Sequence, residues 1–107
     1  MKGTTLGTFE ELVLLAVRVL GGDAYGAALQ RTLERETRRP VSLGAVHTVL
    51  ERLEAKGHID SRASDPTAER GGRRRRIFTV TAQGRQALRQ MDAVRQRLEK
   101  LSKPSGV

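Results

Sequence analysis

The segment Thr8 to Leu20 constrains the fold more than any other part of the chain. It contains the run Leu12-Val13-Leu14-Leu15-Ala16-Val17, the longest apolar stretch in the sequence. Thr8 followed three residues later by Glu11 has the spacing of a capping box, and Gly21-Gly22 supplies the stop, so the spacing predicts a first helix over Thr8 to Leu20. A helix that is apolar on nearly every side cannot be satisfied by one core face. It is either the central helix of the domain or shared between the core and a partner subunit. With 107 residues in all, the chain has room for one core, burying roughly 60 to 65% of its unfolded surface.

The remaining segments arrange themselves around that helix. Asp23 is positioned to cap a second helix reaching Arg38, with Tyr25, Leu29 and Leu33 at spacings of four and Pro40 closing the segment. Ser42 caps a third, in which Leu43, Val46, Leu50 and Leu53 recur at three and four, up to Lys56-Gly57. The connection Arg38-Arg39-Pro40-Val41 has the length of the turn in a helix-turn-helix. Beyond Gly57 the pattern changes. Ile59 alternates with polar neighbours, Ser64 to Gly72 is turn chemistry, and Arg76-Ile77-Phe78-Thr79-Val80 is β-branched and aromatic, which predicts a hairpin with a long basic tip. Thr81 caps a last helix carrying Ala87, Met91, Val94, Leu98 and Leu101 in a heptad seam. The fold class expected is mainly α with a small β-hairpin, a winged helix-turn-helix. Residues 1–80 would form the winged helix-turn-helix domain, 81–102 a dimerisation helix and 103–107 a frayed tail.

Charge narrows the partner. The net charge is +8, from 20 Lys and Arg against 12 Asp and Glu, and Arg70 to Met91 holds seven basic residues and no acid. Three aromatic residues, Phe9, Tyr25 and Phe78, are too few for the stacking platforms of single-strand binders, so duplex DNA is the expected polyanion. The absence of cysteine, with only two histidines, argues against disulfides, metal sites and thiol catalysis. Paired carboxylates in an apolar setting, a phosphate loop and a nucleophile with a base are all lacking, so neither an enzyme nor a cofactor is expected. The apolar run falls far short of the ~18 to 20 residues of a membrane span, and a cytoplasmic, bacterial-type protein is expected.

Several stretches taken together carry a resemblance. They are Leu14 to Ala16 before the glycine break, Ala24-Tyr25-Gly26, Val41-Ser42-Leu43-Gly44-Ala45-Val46, Leu50-Glu51-Arg52-Leu53-Glu54-Ala55-Lys56-Gly57, and Gly72 to Arg76 with Thr79-Val80-Thr81-Ala82-Gln83-Gly84. In this order they resemble the PadR family of transcriptional regulators, over about Leu6 to Leu88. The resemblance implies a homodimer held by the first and last helices that represses transcription at an inverted-repeat operator, and the length is similar to that of the short subgroup with one trailing helix. Many members respond to small molecules. The chain departs from the family where His47 replaces a tyrosine and Ile77-Phe78 a tyrosine pair, so hydroxyl contacts at those positions do not carry over.

The 3.6-residue period turns Ser42, Gly44, Ala45, His47, Thr48, Glu51, Arg52 and Ala55 away from the apolar seam of the third helix. Its N-terminal end is small enough to approach a ~12 Å major groove closely. The candidate DNA-binding residues are Tyr25, Ser42, Leu43, Gly44, Ala45, His47, Thr48 and Arg52, with Arg70, Gly72, Arg73, Arg74 and Arg75 in the wing. There, guanidinium forks can clamp phosphates or insert in the minor groove, a charged edge strand being the plainer reading. Tyr25 either bonds phosphate or packs half-buried against the third helix. The candidate dimerisation residues are Phe9, Leu12, Val13, Ala16, Ala87, Met91, Val94, Leu98 and Leu101. The last helix, about 30 Å long, must project in part, and space for a small-molecule effector is expected at the dimer interface near Phe9 and Met91. The alternative from another class is a winged-helix interaction module that binds an acidic protein.

Overall fold

The computed structural model of the protein describes residues 6–64 and 75–102. In chain order it contains α1 (Thr8–Leu20), a 3-10 turn (Gly21–Asp23), α2 (Gly26–Thr37), α3 (Leu43–Ala55), β1 (Ile59–Ala63), β2 (Arg76–Val80) and α4 (Ala82–Ser102). This is the expected α-rich fold with one antiparallel hairpin, whose register runs from Ile59 opposite Val80 to Ala63 opposite Arg76. The basic tip and the tail from residue 103, expected to fray, lie outside the described residues.

Helix α1 occupies the centre. Val13 and Leu14 have no exposed surface, and the helix meets α2, α3, β2 and α4. Around it pack Leu29 and Leu33 from α2, Val46, Leu50 and Leu53 from α3, Ile59, Phe78 and Val80 from the hairpin, and Ala87 and Leu88 from α4. The all-round apolar helix is therefore first of all a central one. A stripe is left over, with Leu12 and Leu15 half-buried and Val19 72% exposed.

Three local expectations are corrected. Helix α1 is capped at Gly7, whose backbone N–H donates to Glu10 Oε1 at 3.1 Å, so the pair is Gly7 with Glu10 and not Thr8 with Glu11. Glu11 is buried and pairs with Arg95 of α4, on the side of α1 that it shares with the buried Leu14 one turn on. Asp23 does not cap α2. The Phe78 N–H donates to the Ala24 carbonyl at 2.9 Å, which draws residue 24 alongside β2 and delays the helix until Gly26, with Tyr25 extended at the cap. In α3 the buried face is Val46, Val49, Leu50 and Leu53, whereas Leu43 is 40% exposed because the first turn of the helix overhangs the core.

The α2–α3 turn is held from one side. Gln30 Nε2 donates to the Val41 carbonyl at 2.8 Å, and the Val41 N–H donates to Glu34 Oε2 at 3.0 Å. Residues 30 and 34 stand one above the other on α2, so the pair brackets Val41 and orients the start of α3. Arg38 turns the chain in the left-handed region at φ 58°. Helix α3 then begins as expected, with Ser42 Oγ accepting the Ala45 N–H at 3.0 Å. It ends in a Schellman arrangement, His58 N–H to Leu53 carbonyl and Gly57 N–H to Glu54 carbonyl, with Gly57 at φ 82°.

That terminus seats α4. Thr81 Oγ1 donates to the Gly57 carbonyl at 2.6 Å and accepts the Gly84 N–H at 3.0 Å, so Thr81 caps α4 as expected and ties it to the end of α3. The contact is close enough to need glycine. A Cβ on Gly84 would stand 2.2 Å from the His58 carbonyl oxygen, inside any tolerable contact. His58 itself is buried, and neither ring nitrogen has a hydrogen-bond partner among the described residues. Beyond Leu88 the helix leaves the core, which gives the molecule its 61 × 30 × 20 Å extents.

Candidate nucleic-acid interface

The exposed side of α3 begins at its capped N-terminus. Gly44, Ala45, His47, Thr48, Glu51, Arg52 and Ala55 all face solvent, as the helical period predicts. The end presented outward is small, and unpaired backbone N–H groups of a first turn suit an anion. Helix α2 borders this face closely: a Cβ on Gly26 would meet the His47 ring at 2.9 Å. His47 thus lies against the first turn of α2, filling space that only glycine leaves open.

Tyr25 is half-buried just before α2. Its hydroxyl accepts a bond from Arg31 Nη2 at 3.3 Å, and the Arg75 guanidinium lies over its ring at 4.1 Å to the centroid. Arg75 sits at the root of the wing, where the Ser64 hydroxyl accepts its backbone N–H at 2.8 Å. Arg70, Gly72, Arg73 and Arg74 lie outside the described residues. Arg31 and Arg35 were not expected at this surface. Together with Tyr25 and Arg75 they line an open cleft of about 390 Å³, and only the return of β2 past α2 brings them together.

Toward the other end of α3, electrostatics tie the helix to α1. Burial alone would raise the Glu10 carboxyl, but the bond from Lys56 Nζ at 2.9 Å, the Gly7 N–H and the charges of Lys56 and Arg52 outweigh it and hold it below the ordinary carboxylate range.

The candidate dimerisation residues divide into two groups. Val13, Ala16 and Ala87 are buried in the protomer's own core, at 0%, 5% and 3% exposure, because α1 is central and the first turns of α4 lie on it. Phe9, Leu12 and Met91 are half-buried, while Val94, Leu98 and Leu101 are increasingly exposed, at 39%, 59% and 81%. Phe9 and Leu12 border a cleft of about 410 Å³ with Pro40 and Val41 of the α2–α3 turn. Met91 is not among the residues that line it. Among the described residues no group of acidic or histidine side chains could hold a metal ion, and no helix is long and apolar enough to cross a membrane.

Comparison with known families matches residues 14–90 to the family described as transcriptional regulator PadR-like. The chain belongs to the PadR-like family of transcriptional regulators. The matched range runs from the core of α1 through both glycine contacts into α4, and ends where the exposed part of the α4 seam begins. Solved structures agree in fold. A PadR-like transcription factor from Bacteroides fragilis superposes with a TM-score of 0.72 at 21% identity, covering 89% of this chain and 86% of that one. A PadR family transcription regulator from Clostridium difficile gives 0.65 at 24% identity over 84% and 92% of the two chains. One from Eggerthella lenta gives 0.64 at 25% over 87% and 83%. A search of curated proteins found no match. As a PadR-like regulator, the chain acts in transcription through DNA.

Proposed function

We propose that this PadR-like protein is a homodimeric repressor that binds an inverted-repeat operator, with α3 in the major groove and the arginine-bearing hairpin against the flanking backbone. The observation that carries the reading is the solvent-facing start of α3, capped by Ser42 and lined by Gly44, Ala45 and Thr48, beside the Tyr25–Arg75 stack at the root of the wing. Small side chains allow close approach, and the guanidinium groups supply the attraction to phosphate.

Dimerisation is supported by the projecting half of α4. Leu98 and Leu101 are apolar and uncovered in the protomer, and burying each would contribute about 1.5 to 3 kcal/mol. A two-fold pairing of α4 with the leftover stripe of α1 would cover both and set two α3 helices about 34 Å apart on one face of the duplex. The test is to select DNA from a random pool with the purified protein and to measure its mass in solution by light scattering. A palindromic consensus bound by a dimer is expected. A monomer at micromolar concentration, or a pool without enrichment, overturns the reading, and a reporter fused to the selected site decides the sign of regulation.

A further inference from the structure

We infer that the cleft formed by Tyr25, Arg31, Arg35 and Arg75 is a seat for a backbone phosphate, extending the DNA footprint from α3 and the wing onto the outer side of α2. The inference rests on the DNA-binding reading and adds to it Arg31 and Arg35 of α2, which lie outside both α3 and the wing.

Three guanidinium groups line this space, with Asp23 as the carboxylate among the lining residues. Glu36 Oε2 accepts from Arg35 Nε at 3.1 Å, which leaves the terminal nitrogens of Arg35 directed to other partners, and Arg31 uses one terminal nitrogen on the Tyr25 hydroxyl. That contact prepares the tyrosine. A hydroxyl whose oxygen already accepts from a guanidinium still has its own proton to donate, and a phosphate oxygen is the acceptor that suits it. The Arg75 stack holds the ring in place meanwhile. Guanidinium forks around an aromatic hydroxyl bind a tetrahedral oxyanion through several charge-assisted hydrogen bonds.

Position selects the source of the phosphate. Tyr25, in the wall of the cleft, directly precedes Gly26, where a Cβ would stand 2.9 Å from the His47 ring, so this end of the cleft is next to the exposed side of α3. With α3 in the groove, the strand at its edge passes the cleft.

The test is a salt titration of binding, read by fluorescence anisotropy, on a duplex selected by the wild-type protein and on a random duplex. Arg31→Ala and Arg35→Ala should each weaken binding to both duplexes about tenfold and flatten the slope of log affinity against log salt by about one per lost contact in each half-site. Arg31→Lys should keep the slope and lose a few-fold in affinity, since the charge remains and the fork does not. Arg89→Ala, on the face of α4 turned away from its apolar seam, removes an equal charge outside the cleft and should change neither. Slopes that stay at the wild-type value, or that fall equally in Arg89→Ala, overturn the inference while leaving operator binding intact. A loss confined to the selected duplex would mean a base contact and overturns it too. Failure of the wild-type protein to bind either duplex would instead remove the DNA-binding reading itself.

Discussion

Helices α3 and α4 carry apolar residues at the same spacings of three and four, yet one seam is consumed and the other is left in solvent. In α3, Val46, Leu50 and Leu53 are all buried within the protomer, and the opposite side is free for a ligand. In α4, Ala87 and Leu88 are buried, Met91 is half-covered, and from Val94 onward the seam is exposed. Length accounts for the difference: the 13 residues of α3 span about 20 Å, which the core can cover, while the 21 of α4 span about 30 Å. Periodicity identifies a face that wants to be buried; whether the protomer can bury it depends on how far the helix runs past its neighbours.

Substitutions along the two seams test that contrast. The largest effect is expected from Leu50→Ala in α3, a loss of about 2 to 5 kcal/mol in urea unfolding; a loss under about 1 kcal/mol would mean that the α3 seam is not the core. Gly84→Ala should cost about 2 to 3 kcal/mol, because its methyl group meets the His58 carbonyl, which is backbone and cannot swing aside. Ser42→Ala removes the cap of α3 and should cost about 1 kcal/mol, measured by thermal unfolding.

A smaller contribution is pH-dependent. The Glu10 carboxyl is lowered in the folded protein, so its stabilisation is complete above the ordinary carboxylate range and is lost as pH falls through its folded value. Glu10→Gln should therefore narrow the difference in melting temperature between pH 7 and acid, and an unchanged difference would remove Glu10 from the account. Least affected in protomer stability should be the double variant Leu98→Ser with Leu101→Ser, within about 0.5 kcal/mol. Its self-association, followed by sedimentation, should nevertheless weaken at least tenfold. A variant that stays dimeric would place the interface elsewhere and dissolve the contrast between the seams.

Much of the fold is readable in the residues because its boundaries depend on local chemistry. Ser42, Thr81 and Gly57 terminate helices through bonds to backbone groups within a few residues, and such bonds act in any tertiary setting. Asp23 was misleading for the opposite reason: its helix start was displaced by a bond from Phe78, more than fifty residues away in sequence. The exposed side of α3 follows from periodicity alone. Arg31 and Arg35, by contrast, look like an ordinary charged helix face until β2 brings Arg75 over Tyr25.

The sequence by itself determined four helices and a hairpin, their order, the seam and exposed side of α3, and the concentration of arginine in and beside the wing. Each of these depends on spacing along one segment. Only the tertiary structure decided that α1 is central, that Glu11 pairs with Arg95, that Gly26 and Gly84 are sites of close approach, and where along α4 its burial ends. Those features depend on distances between segments remote in sequence, which are set by how the volumes of all the buried side chains pack together.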